Sequence, residues 1–218
     1  MKKYLNILQK CPLFDGISSQ DLPKMLTCFD ARVESFDKKY TVMAEGSNKN
    51  YIGVVLSGSV QISRSDFYGN RSIISSSEEG ELFGEAFACA QVELPVTVTA
   101  AEQSTVMLIR GDHILYTCSN HCSFHQQLIF NLMKSLAQKN IQFHQNIEIL
   151  SKRSTAEKLT AYLDIQAKKN KSNSFDIPFD RQELADYLQV DRSGLSVQIS
   201  RLIEQGVIRC KKNHFELL

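Results

Sequence analysis

Apolar residues recur at helical spacing near both ends of the chain and at strand spacing between them. Residues 1–30 are helical in pattern, with a break at Pro12 and a start signal at Ser18 or Ser19 before DLPKMLTCF. From about 31 to 118 the apolar residues fall in short β-rich segments, among them YIGVVLSGSVQISRS, RSIISSS, VTVTA and STVMLIR. Turn residues separate them, with glycines at 46, 53, 58, 69, 80 and 84. Many short strands with regular turn signals predict a β-sandwich or β-roll. Phe67-Tyr68-Gly69-Asn70 reads as a hairpin tip. From about 120 to 150 neither Gly nor Pro occurs. Met133, Leu136, Phe143, Ile147 and Leu150, with Asn140 in the vacant position, follow a 3,4,3,4,3 spacing. That spacing is a heptad seam and predicts a dimerising helix, with Asn140 setting register. One amphipathic helix lying on its own β domain would show a similar pattern.

Residues 180–203 read as two short helices joined by a turn. Leu184, Ala185 and Leu188 line one helix, Val190 sits in the turn, and Leu195, Ile199 and Leu202 line the next. Asp180 and Asp191 each stand where a helix N-cap is needed. This leaves Arg192, Ser193, Ser196, Val197 and Arg201 outside, the layout of a helix-turn-helix whose second helix enters the major groove. A packed helical hairpin without DNA contact is the competing reading. Residues 151–170 form a preceding helix, with a capping box at Ser154 and Glu157. KKNKSNS follows as a polar loop, and GVIRCKKNHFELL closes the chain as a hairpin wing.

The 218 residues are 43% hydrophobic, enough for a sizeable core. The net charge is only +1, but it is uneven. Residues 150–218 hold twelve Lys/Arg against nine Asp/Glu, and residues 1–149 hold thirteen against fifteen. A mildly basic C-terminal third suits nucleic-acid contact by that part alone. There is no run of eighteen apolar residues, and Asn6, Gln9 and Lys10 interrupt the start, so a cytoplasmic protein without membrane contact is expected. The six cysteines are scattered at 11, 28, 89, 118, 122 and 210, which predicts free thiols.

In order, the chain reads as a helical start, a β-roll, a long helix, a helix-turn-helix and a wing. This resembles the bacterial regulators typified by the cyclic-AMP receptor protein and the fumarate–nitrate reduction regulator. The residues carrying the likeness are CPLFDGIS at 11–18, VVLSGSVQI at 54–62, GELFGEAFA at 80–88, VTVTAAEQSTVMLI at 96–109 and DRQELADYLQVDRSGLSVQISRL at 180–202. The resemblance implies an α+β fold. An effector-sensing, cyclic-nucleotide-binding-like β-roll (a double-stranded β-helix) would occupy residues 1–119. A dimerisation helix would follow at 120–150 and a winged helix-turn-helix at 151–218. It further implies a homodimer on an inverted-repeat promoter site, with RNA polymerase as a candidate partner. Ser193, Ser196 and Val197 match the family's base-reading positions, and Arg192, Arg201, Arg181 and Gln182 are expected on the DNA backbone or beside it. The family's usual base-reading pair is an acidic residue and an arginine, and here Ser193 and Val197 stand instead. Valine offers only apolar contact, for example to a thymine methyl, so a site richer in A·T is expected.

The sensor also departs from its family. Cyclic-nucleotide binders follow a Gly-Glu segment with an Arg-Ser pair that holds the phosphate. Gly84-Glu85 is present here, but the aligned pair is Leu94-Pro95, followed by Val96. A buried phosphate without a cation is costly, so tight cyclic-AMP binding is not expected. Glu85 reads better as a turn-stabilising carboxylate. A pocket around Phe83, Gly84, Glu85, Phe87, Val96 and Thr97 would suit a more apolar effector. Cys11 and Cys28 are too far apart for an iron–sulfur cluster of the family's kind, and no cofactor is expected. Cys118, His121, Cys122 and His125 fall on one face if helical, a candidate set for zinc or iron or for redox sensing. No nucleophile–base arrangement, phosphate-cradling loop or carboxylate pair points to an enzyme. The alternative function is a β-roll dimer acting as a protein-interaction module without sequence-specific DNA binding.

Overall fold

The computed structural model describes residues 2–69, 71–115 and 124–218. The chain divides into two units, residues 1–64 with 74–140 and residues 65–73 with 141–218. The first opens with α1 (Leu5–Lys10), a 3-10 turn over Pro12–Phe14 and α2 (Leu22–Cys28). Pro12, lacking an N–H, is tolerated at the start of that turn but could not continue α1. The Ser18 hydroxyl accepts from the Asp21 N–H at 3.2 Å, so it shapes the turn ahead of α2. Eight strands follow: β1 (Arg32–Phe36), β2 (Thr41–Met43), β3 (Tyr51–Ser57), β4 (Val60–Ser65), β5 (Arg71–Ser77), β6 (Leu82–Phe83), β7 (Thr97–Ala100) and β8 (Ser104–Arg110). Helix α3 (Glu85–Ala90) lies between β6 and β7, and α4 (Gly111–Leu115) follows β8. The strands form two sheets, ordered β1-β8-β3-β6 and β2-β7-β4-β5.

The apolar runs in β3 and β8 have a simple cause. These strands pair antiparallel, with Val54 opposite Met107, and their sheet is buried on both faces. Ile52, Val54, Leu56, Met107 and Ile109 face a core shared with Leu22, Met25 and Leu26 of α2. Val55, Val106 and Leu108 face Val60, Ile62 and Val98 of the second sheet. A sheet covered on both sides needs apolar residues at every position rather than alternately. Gly53 is required here, because a Cβ at that position would lie 2.1 Å from Phe83 Cζ.

Helix α5 (Phe124–Leu150) is 27 residues long. Its first part buries Leu128 and Leu132 in the roll's core, with Leu136 packed beside them. Asn131 is buried there and donates to the Leu13 carbonyl at 2.9 Å and the Asp15 carbonyl at 2.7 Å. Of the heptad seam expected from sequence, Met133, Asn140, Phe143 and Ile147 are exposed. Leu136 turns inward, and the exposed apolar residues are Phe130, Met133, Ile141, Phe143 and Ile147.

The second unit contains α6 (Thr155–Asn170), β9 (Ser174–Asp176), α7 (Arg181–Leu188), α8 (Arg192–Glu204), β10 (Ile208–Lys211) and β11 (His214–Leu217). Both halves of the Ser154–Glu157 capping box are formed. The segment read as a polar loop leads into a strand: β9 pairs with β11, with Phe175 opposite Phe215, both buried. The sheet order is β10-β11-β9. Leu159, Leu163, Phe179, Leu184, Leu188, Leu195 and Ile199 share one core with these two phenylalanines. Tyr187 packs against Tyr162 and Phe179, and its hydroxyl donates to Asn146 Oδ1 at 2.7 Å.

Candidate nucleic-acid interface and sensor cassette

Two capping carboxylates position the helix-turn-helix. Asp180 accepts from the Glu183 N–H at 2.9 Å, and Glu183 returns the bond to the Asp180 N–H at 2.8 Å. Asp191 accepts from the Gly194 N–H at 2.9 Å and from the Ser193 hydroxyl. These bonds, the Ser193 hydroxyl first, hold the Asp191 carboxyl below its ordinary value. Between the caps, α7 ends at Gln189 in the left-handed region, and Lys158 Nζ donates to the Leu188 carbonyl at 3.1 Å.

With Leu195, Ile199 and Leu202 buried, and apart from the exposed Ile203 and Glu204 in its last turn, α8 exposes Arg192, Ser193, Ser196, Val197, Ser200 and Arg201. At 100° per residue these six span one face. Three serines and a valine occupy its centre, with an arginine at each edge. Ser200 is the residue that sequence reasoning passed over. Its signal was available, since it stands four residues after Ser196 and seven after Ser193. Val197 is 50% exposed, and Ser196 donates to the Arg192 carbonyl at 3.0 Å.

Arg181 and Gln182 open α7 and make contacts within the protein. The Arg181 guanidinium turns onto the wing. It donates to Cys210 Sγ and to the Lys212 carbonyl, each at 3.4 Å, and lies 5.8 Å over the Phe215 ring. Gln182 is exposed and donates to Asp186 Oδ1 at 2.8 Å. The wing itself presents Lys211 and Lys212 to solvent.

In the roll, Gly84 adopts φ +76°, the left-handed region that favours glycine, and starts α3 with Glu85. Glu85 is 2% exposed, and its carboxylate pairs with Lys139 of α5 at 2.7 Å. Lys139 Nζ also donates to the Leu82 carbonyl at 2.6 Å. Of the side chains expected to line an effector pocket, Phe83 is 1% exposed and Val96 is buried beside it between the sheets. Phe87 and Thr97 are half-buried. The Leu94 N–H is committed to the Ser47 carbonyl at 3.1 Å. A separate cleft of about 280 Å³ is lined by Asn48, Lys49, Asn50, Tyr51, Arg110 and Asp112, none of them among the expected pocket residues.

Of the candidate metal set, Cys118, His121 and Cys122 lie outside the described residues. His125 is buried edge-on to Phe29, with Nε2 donating to the Ile114 carbonyl at 2.8 Å. Among the described residues no group of three or more His, Cys, Asp or Glu is arranged to hold a metal ion. None of the helices among them is long and apolar enough to cross a membrane.

Comparison with known proteins matches two families along the chain. The cyclic nucleotide-binding domain family matches residues 33–121, and the Crp-like helix-turn-helix domain family matches residues 157–218. The global regulator CLP of Xanthomonas campestris superposes with a TM-score of 0.75 at 14% identity, covering 92% of this chain and 99% of that one. FixK2 of Bradyrhizobium japonicum gives 0.69 at 18% identity, covering 86% and 92%. The Thermus thermophilus catabolite activator protein gives 0.54 at 21% identity, covering 95% and 93%. A curated relative, potassium channel KAT1 of Oryza sativa subsp. japonica, is 23% identical over 133 residues, and the match spans only 18% of that protein. A roll of the cyclic-nucleotide-binding kind joined to a Crp-like helix-turn-helix defines a class of DNA-binding transcriptional regulators. The chain belongs to the Crp/Fnr family of these regulators.

Proposed function

We propose that the protein regulates transcription as a homodimer on an inverted repeat in promoter DNA, under control of a small effector other than cyclic AMP. Residues 1–119 sense, 120–150 dimerise and 151–218 bind DNA. The observation carrying this reading is the exposed face of α8, with Arg192 and Arg201 flanking three serines and a valine. Cations at its edges suit phosphates, and small side chains at its centre admit base edges. Lys211 and Lys212 of the wing add further phosphate contacts. The apolar stripe Phe130, Met133, Ile141 and Ile147 supports self-association along α5, because an exposed row of large apolar side chains gains by burial against a second copy. RNA polymerase is the partner on which such a regulator would act.

The cassette does not suit a cyclic nucleotide. Leu94, Pro95 and Val96 supply no cation for a phosphate, and the Glu85 carboxylate is already paired with Lys139. Calorimetric titration with cyclic AMP is expected to show no saturable binding, and a micromolar Kd would overturn that part of the reading.

Duplex binding over a salt series tests the whole. Affinity should fall linearly with salt on logarithmic axes, and Arg192→Ala should reduce the slope by one phosphate contact per protomer, roughly 1.8 for the dimer. Weak binding with no salt dependence would instead favour an interaction module that does not read DNA.

A further inference from the structure

Two serines of α8, Ser193 and Ser196, commit their protons within the helix itself. A hydroxyl carries one donor and two acceptor lone pairs. Ser193 spends its proton on the Asp191 carboxylate, and Ser196 spends its own on the Arg192 carbonyl at 3.0 Å. Both bonds arise from the way α8 begins. Asp191 caps the helix, and Ser196 reaches back one turn. What the two side chains turn outward are lone pairs. Beside them Val197 offers a half-exposed apolar surface.

We infer that α8 reads exocyclic amines: the two serines accept from adenine N6 or cytosine N4, and Val197 packs on a thymine methyl. This deepens the reading of α8 as the DNA interface and rests on it. In the major groove guanine presents only the acceptors N7 and O6, and thymine presents the acceptor O4. Against either, a lone pair on Ser193 or Ser196 would meet another lone pair. For Ser193 to donate, it would have to break a bond to a carboxylate, which is about twice as strong as a neutral one. A C·G pair supplies an amine without a methyl. An A·T pair supplies both within one step, so A·T, read at N6, is favoured over C·G where a serine and Val197 meet the same pair.

The test uses the intact protein. Selection from a random duplex pool gives the half-site, and selections with Ser193→Ala and Ser196→Ala locate the two positions whose preference relaxes. Synthetic duplexes then carry purine in place of adenine at those positions, which deletes only the N6 amine, or uracil in place of the thymine expected near Val197, which deletes only the methyl. Fluorescence anisotropy should show about a tenfold loss for each purine. A smaller loss is expected for uracil, and the purine penalty should vanish in the matching serine variant. If the duplex binds but the purine changes nothing, or if the located positions select guanine or thymine on the contacting strand, the acceptor code is overturned while the DNA interface stands. If no duplex is enriched and Arg192→Ala leaves binding unchanged, the interface reading is overturned and the code falls with it.

Discussion

Glu85 and Lys139 show how much a single pair of residues carries. The glutamate is buried and its charge is balanced by one ammonium from α5. Removing the lysine would strand a buried carboxylate, a change that costs far more than the intact pair contributes. Lys139→Met is expected to destabilise the protein by about 3 kcal/mol in urea unfolding, and Glu85→Gln added to it should recover most of the loss. Recovery would show that the penalty comes from the unpaired charge rather than from lost packing. A second residue-scale effect lies at high pH. Burial pushes the Cys11 thiol up from 9.0 to about 12, and the Tyr187 hydroxyl is pushed from 10.0 to about 12 by the same cause. Both groups are favoured in their neutral forms by folding, so the unfolded chain loses these protons first. The stability they contribute is intact below about pH 9 and is lost progressively as pH rises towards 12. Unfolding midpoints measured from pH 8 to 11 should fall, and Cys11→Ala should flatten the early part of that fall. An unchanged slope in the variant would show that the thiol is not responsible.

At the scale of elements, local chemistry and long-range packing divide the work. The capping boxes at Ser154–Glu157 and Asp180–Glu183 join residues three apart, and both form as their spacing indicates. Asp180→Ala should therefore cost about 1 kcal/mol in thermal unfolding and weaken duplex binding through the frayed start of α7. A stability loss without any change in DNA affinity would mean that α7 does not position α8. Elements fixed by partners are less legible. Strand β9 looks like loop because its neighbours are polar, and only its pairing with β11 and the burial of Phe175 make it a strand. Arg181 matches a backbone-contact position by sequence, yet its guanidinium is drawn to Cys210, the Lys212 carbonyl and the Phe215 ring, 29 to 34 residues further along.

At the scale of the whole molecule, the proposed homodimer is tested on the exposed stripe of α5. Placing glutamates at both Met133 and Ile147 should leave each protomer folded, since both side chains are solvent-exposed in the isolated chain. Sedimentation should then report a monomer, and duplex affinity should collapse, because two half-sites need two linked helix-turn-helix units. A double variant that remains dimeric would place the self-association surface elsewhere.

The order of elements and the helix-turn-helix are written in the sequence, because helix periodicity, caps and turn residues act between neighbours a few positions apart. So is the absence of a cation at Leu94, Pro95 and Val96, which needs only residue identity. Tertiary structure alone decided that Leu136 faces inward while Phe130 and Ile141 join the exposed stripe, because a helix that serves two surfaces divides its apolar residues according to what packs on it. It also decided that Lys139 neutralises Glu85 across 54 residues of chain, and that Phe83 and Val96 pack into one buried cluster. Contacts of that kind depend on which segments the fold brings together, and no local spacing records them.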